Sequence, residues 1–217
     1  MKRILFLSLG LLLLLSSCVK KDERPVGEVR VRFVNAVSGS PSQDVYANNT
    51  LETKVGIGYG QASDYLTFYS GINLFAFADR ASTTANAIIS YGLESGDHAS
   101  VYYYKTLAGA VAAGGIKDDM TAPPAGKARV RFVHMNSFLN NSLTVRVVGG
   151  ASLFPALVFA SASSYYDVDP GTKFQAAATG VTVSPEISLN VQAGKIYTVI
   201  LTGSVATELY AFSVLQN

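Results

Sequence analysis

The chain has two histidines, His98 and His134, and a hydrolase built on either would need a nucleophile, a base and an orienting group within reach of one another. They fall in different halves of the sequence, and no Gly-x-Ser-x-Gly elbow accompanies them. His134 reads as a satisfied polar residue at a strand end and His98 as a solvent-exposed residue after a turn. Two groups of acids invite a metal reading. Asp118-Asp119 falls in a linker-like stretch, and Asp167-Val168-Asp169 alternates so that two carboxylates share one side at a strand end, a weak calcium geometry. Solvated turn acids are the plainer reading, so no metal ligand, no cofactor and no catalytic residue is expected. The loop "GIGYGQA" (56–62) lacks both the register of a phosphate loop and its Lys-Ser/Thr, and reads as a strand connection. The tyrosines are the most suggestive side chains. Tyr65, Tyr69, Tyr102, Tyr103, Tyr104, Tyr165 and Tyr166 are the candidate ligand-facing aromatics, whose rings could stack on sugar faces or partner side chains. Tyrosine also fills sandwich cores without any ligand.

At the other end of the chain, the only cysteine closes "MKRILFLSLGLLLLLSSC". Two cations precede an apolar run, 4–15, which is shorter than the roughly 18 to 20 residues that span a bilayer as a helix. That is the shape of a secretory signal. Leu15-Ser16-Ser17-Cys18 resembles the lipobox of bacterial lipoproteins, which implies cleavage before Cys18 and acylation of its thiol and amine, and so a membrane attachment with palmitate-type chains. Loss of Lys2 and Arg3 with the leader leaves as many cations as anions, which argues against nucleic acid as a partner. Val19, where an inner-membrane retention signal would place Asp, points to outer-membrane sorting. The run Lys20-Lys21-Asp22-Glu23 fits either a surface-export tag or a charged tether.

The elements that must position these side chains are written twice. "VRVRFVN" (29–35) returns as "ARVRFVH" (128–134), "QASDYLTFYSG" as "SASSYYDVDPG", and "LESGDHASVYYY" as "VQAGKIYTVILT", each about a hundred residues later. Apolar residues alternate, with Val29, Val31 and Phe33, or Val130 and Phe132, expected to face a core and the intervening arginines expected to face solvent. Similar β-rich runs follow, separated by turn signals at Asn48-Asn49, Ser70-Gly71, Ser95-Gly96, Gly149-Gly150, Pro170-Gly171 and Ala193-Gly194. No segment carries an apolar stripe at helical spacing. The expected organisation is a signal peptide (1–17), a lipidated cysteine with a flexible tether (18–27), a first β-sandwich (28–120), a linker holding Pro123-Pro124 (121–127) and a second β-sandwich (128–217). The segment 107–115 reads either as the start of the spacer or as a long hairpin tip of the first module.

The opening "ARVRFVH", the "DVY" at 44–46, the Ser-x-Tyr before a glycine turn and the closing "AGKIYTVILTG" (193–203) resemble the bacterial domain-of-unknown-function family numbered 4397. The resemblance covers nearly the whole chain after the leader, although the second module has "LTV" where "DVY" is expected. It implies an all-β protein of two tandem immunoglobulin-like sandwiches with no established activity. The functional expectation is a non-catalytic binding or adhesion module, anchored by lipid at the outer membrane, facing the surface or the periplasm, with a glycan or protein ligand. The alternative is an accessory subunit docking on a cell-envelope protein by an edge strand.

Overall fold

The computed structural model describes residues 26–217 apart from 54 and 185; Cys18, the expected leader and the charged run behind it lie outside the described residues. The chain is all-β. In the first half run β1 (Glu28–Asn35), β2 (Gln43–Ala47), β3 (Thr50–Leu51), β4 (Leu66–Tyr69), β5 (Gly71–Asp79), β6 (Ala85–Leu93), β7 (His98–Lys105) and β8 (Val111–Asp118). The second half repeats the plan with β9 (Ala128–His134), β10 (Leu143–Val147), β11 (Ser152–Leu157), β12 (Tyr166–Val168), β13 (Lys173–Ala177), β14 (Glu186–Ser188), β15 (Ile196–Thr202) and β16 (Tyr210–Leu215).

Each half folds into a two-sheet sandwich. In the first, β4-β1-β7-β8 faces β3-β2-β5-β6; in the second, β12-β9-β15-β16 faces β11-β10-β13-β14. The repeated opening motif becomes a central strand both times, antiparallel to its neighbour on one side and parallel to β7 or β15 on the other. Val29, Val31 and Phe33 point into the first core, and Val130 and Phe132 into the second, as their alternation requires. The Phe33 ring meets Phe75 edge-on at 5.1 Å and Phe77 at 6.0 Å, while Phe132 meets Phe174 at 5.2 Å. Each such ring, taken wholly out of water, contributes about 1.5–3 kcal/mol. The β2–β3 turn is made by Asn48 and Asn49, both at positive φ (48° and 69°), the pairing that a tight hairpin with a right-handed twist demands.

Three strands are absent from the sequence expectation: β3, β8 and β11. The segment 107–115 divides into a turn and most of β8. The two glycines of β8, Gly114 and Gly115, are there for close approach rather than for a bend. A Cβ on Gly115 would stand 2.6 Å from the Tyr91 ring, and one on Gly114 3.2 Å from that of Tyr104.

The outer face of β4-β1-β7-β8 lies against the outer face of β12-β9-β15-β16, so the two sandwiches form one stack of four sheets. Val34, Ala36, Tyr102, Val133, Met135, Ile200 and Val214 form a third apolar cluster between them. This corrects the expectation that the repeated arginines face solvent. Arg30 is exposed, but Arg32 and Arg131 are buried, because a second sheet covers the face to which their alternation assigns them.

Candidate functional site

Several of the chemistry-bearing residues of the sequence, Tyr65, Tyr102, Asp118 and Tyr165 among them, meet at this seam with the repeated arginines. Arg131 of β9 reaches across to the other sandwich, pairing with the Asp118 carboxylate and donating from Nη1 to the Lys117 carbonyl at 2.8 Å; its Nε donates to Thr198 Oγ1 at 2.9 Å. The Arg131 and Asp118 side chains are 2% and 0% exposed. Asp118 also accepts from the Tyr65 hydroxyl at 2.6 Å and from Ser100 Oγ at 2.8 Å. Asp118, expected as a solvated linker acid, is thus the most buried carboxylate of the seam; β8 carries it there.

The other half of the seam repeats much of this plan. Arg32 of β1 stacks on Tyr65 at 3.8 Å and donates from Nη1 to the Leu215 carbonyl at 2.6 Å, as Arg131 does to Lys117. The Tyr165 hydroxyl donates to Gln216 Oε1 at 2.8 Å, as Tyr65 does to Asp118. A glutamine therefore stands where the first half has a carboxylate. Arg32 Nε and Gln216 Nε2 have no hydrogen-bond partner within the protein. Burial, followed by the neighbouring Asp118 charge, raises the Tyr65 phenol far above its usual range, and burial also raises Tyr165. Both phenols stay protonated at neutral pH and serve as donors.

A domain of unknown function, DUF4397, matches residues 29–141, just over half of the chain. The chain belongs to the DUF4397 family. The DUF4397 match runs from β1 through β9 into the loop that follows, so it takes in Arg32, Tyr65, Asp118 and Arg131 together. None of the curated proteins matches the chain.

The seven tyrosines singled out in the sequence are distributed differently from a ligand platform. Tyr102 is buried in the seam and Tyr103 in the first core, where it stacks on Phe77 at 5.3 Å. Tyr104 is half-buried at the seam edge beside Phe159. The alternation of this run holds, but both faces of β7 are covered, one by the core and one by the second sandwich. Tyr65 and Tyr165 are held in the seam, and Tyr166 stacks on Phe154 at 5.8 Å. Tyr69 alone among the seven is well exposed, at 71%.

The remaining candidates are accounted for locally. His134 is fully buried. Its Nδ1 accepts the Asn136 backbone N–H at 3.2 Å, which leaves the neutral ring's proton on Nε2, 3.4 Å from the Asn141 carbonyl. Burial lowers its pKa to about 4, against a smaller opposing effect of the Asn141 bond. His98 is half-buried with its ring against Tyr65. Asp119 and Asp167 flank Arg129 at 3.0 and 3.7 Å, and Asp169 pairs with Lys127 at 2.6 Å. Among the described residues no three His, Cys, Asp or Glu side chains gather to hold a metal ion, and no helix is long and apolar enough to cross a membrane.

One aromatic surface escapes the reading of the sequence. At the mouth of the seam, Ser38, Tyr59 and Gly60 of the first sandwich and Ser204, Tyr210, Ala211 and Phe212 of the second line a cleft of ≈ 350 Å³. Tyr59 meets Phe212 edge-on at 6.2 Å. Glu208 accepts from the Tyr210 hydroxyl at 2.8 Å and from Ser204 Oγ at 3.2 Å, putting a carboxylate beside the rings. Tyr59 lies in the "GIGYGQA" loop, and Phe159 in the matching loop of the second copy packs on Tyr104. A repeated aromatic just ahead of each Ser-x-Tyr is the signal that could have found it.

Proposed function

We propose that this DUF4397 protein is a non-catalytic binding module, held to an outer membrane by a lipidated Cys18, that takes a glycan at the cleft between its two sandwiches. The observation that carries the reading is the composition of the cleft. Tyr59, Tyr210 and Phe212 offer apolar ring surface to the C–H face of a sugar, while Ser38 and Ser204 offer polar groups to its hydroxyls, with Glu208 orienting the Ser204 and Tyr210 hydroxyls. Its volume sits at the small end of ordinary ligand sites. The histidines, the buried acid and the two buried arginines are all occupied in holding strands or sandwiches together, which favours binding over catalysis.

The test is a glycan array run beside an envelope pull-down with a soluble fragment beginning at Lys20. Binding to a glycan that Tyr210→Ala abolishes is the expected result; silence on every glycan alongside one stoichiometric protein partner refutes it. The anchor is tested separately, since labelled palmitate should incorporate into the native chain and fail to incorporate into Cys18→Ala. A second reading, an accessory subunit docking by an edge strand, is favoured by β8. It is an eight-residue edge strand whose stretch 111–116 carries no charge, a ready template for one more strand.

A further inference from the structure

The chain enters the first sandwich beside a turn whose counterpart in the second is built from different residues. The backbone N–H of Gly27 donates to Ser70 Oγ at 3.0 Å and that of Ser70 to the Gly27 carbonyl at 2.7 Å, so the entering chain is held against the turn 69–72. Val26 is 72% exposed, Tyr69 71% and Ile72 80%. Ile72 stands between two open grooves, one of ≈ 470 Å³ that it shares with Tyr69 and one of ≈ 840 Å³ that it shares with Val26. In the second copy the matching turn reads Asp169-Pro170-Gly171-Thr172, and Asp169 pairs with Lys127. Its glycine keeps a positive φ in both copies, 117° at Gly71 and 76° at Gly171, so the turn itself does not require apolar neighbours. What separates the copies is what precedes them. The second follows the first sandwich, whereas the first follows Cys18.

We infer that this tip, formed by Val26, Tyr69 and Ile72, is a membrane-contact surface that seats in the headgroup region of a lipid bilayer, an inference that rests on the anchor proposed at Cys18. Two observations select a bilayer as occupant. Val26 follows Cys18 by eight residues, and a fully extended chain of that length reaches at most about 29 Å. Acylation at Cys18 therefore keeps the tip beside the membrane at high effective concentration, where a shallow contact of three side chains suffices. The makeup of the tip also suits the boundary between lipid and water. Two aliphatic side chains accompany a tyrosine, apolar in its ring and polar at its hydroxyl, and Glu28, Glu94 and Lys117 rim the grooves, where they limit the tip to headgroup depth. The strand β1 leads away from this end. From Glu28, paired with Tyr69, it rises about 25 Å to Asn35, whose backbone bonds to Gly60 and Gln61 at the cleft. The contact surface and the cleft thus lie at opposite ends of the first sheet, and seating the tip leaves the cleft clear of the bilayer.

The chain has no tryptophan, so a single introduced one reports its own surroundings. The full acylated chain is reconstituted in zwitterionic phosphatidylcholine vesicles whose acyl chains carry bromine, a short-range quencher. Ile72→Trp should lose most of its emission and shift to shorter wavelength, while Val205→Trp, an exposed position next to the cleft residue Ser204, should do neither. Tyr69→Asp/Ile72→Thr, which installs the residues of the second copy in the same turn, should leave flotation with the vesicles intact and restore most of the emission of an added Val26→Trp. A chain that floats with Ile72→Trp unquenched, quenching as strong at Val205 as at Ile72, or Val26→Trp quenched as strongly after the double substitution overturns the contact surface alone. A chain that does not float overturns the anchor and the contact surface together.

Discussion

Replacing Asp118 with alanine tests the seam most directly. The substitution removes the carboxylate that faces Arg131 and takes the acceptor from the Tyr65 and Ser100 hydroxyls at the same time. Arg131 keeps its bonds to Thr198 and the Lys117 carbonyl, but its charge remains buried without a counterion. Breaking a buried pair from one side costs about 3–5 kcal/mol, most of it the stranded charge. Against a total stability of about 5–15 kcal/mol for a domain, a loss of that size is plain in a urea titration. Because the chain has no tryptophan, the transition is best followed by far-ultraviolet circular dichroism. Arg30→Ala, at the exposed position of the same motif, provides the comparison and should change stability by no more than about 0.5 kcal/mol. Arg131→Met combined with Asp118→Ala should lie closer to the native chain than Asp118→Ala alone, since no charge is then stranded. A loss under about 1 kcal/mol for Asp118→Ala, or a double variant worse than the sum of its parts, would refute the account of the seam.

Gln216→Glu gives the Arg32 half of the seam the carboxylate it lacks and should raise stability in the same titration, by about 1 kcal/mol after desolvation. His134 binds its proton only near pH 4 when folded, against about 6.5 when unfolded, so the unfolded chain holds more protons between these values. Stability is accordingly full above about pH 6.5 and falls as pH drops to about 4, by about 3 kcal/mol; His134→Asn, which installs the residue that the first copy has at position 35, should flatten that slope in a pH series of unfolding curves. Gly115→Ala drives a methyl into the Tyr91 ring and should lower the unfolding midpoint, at a cost of about 1–3 kcal/mol.

The repeated motif makes the plan of each sandwich legible from the residues alone. Strict alternation tells which side chains enter the cores, and it does so correctly for Val29, Val31, Phe33, Val130 and Phe132. The turns at Asn48-Asn49, Gly96 and Gly194 carry the positive φ that their residue types announce. Period alone, however, reports two faces and not what covers the second one. Arg32, Arg131 and Tyr102 therefore read as outward, although another sheet of the same chain lies on them. The strand β8 is hidden for a different reason. Its Ala-Ala-Gly-Gly stretch has little β propensity of its own and is held by antiparallel pairing along β7, with the rings of Tyr91 and Tyr104 close over its glycines. Losing β8 means losing Asp118, and with it the ion pair at the centre of the seam. The cleft at the seam's mouth needs both modules docked, so the aromatic repeated at Tyr59 and Phe159 marks a position in the sequence but not the partners that Tyr210 and Phe212 supply there.

The central placement of the opening strand bears on the order in which the protein is assembled. On its parallel side β1 waits for β7, with Arg30 paired to His98, and β9 waits for β15 across a similar interval. Roughly 70 residues must be delivered before that edge closes, which makes each sandwich a slow, non-local folding problem. A chain threaded from its N-terminus would hold each incomplete sheet open along the edge of its opening strand, with the backbone of 30–35 unpaired on that side, until its last hairpin emerged. The seam can form only after the second of those hairpins, so the final six strand residues, Tyr210–Leu215, complete both the second sheet and the union of the two halves.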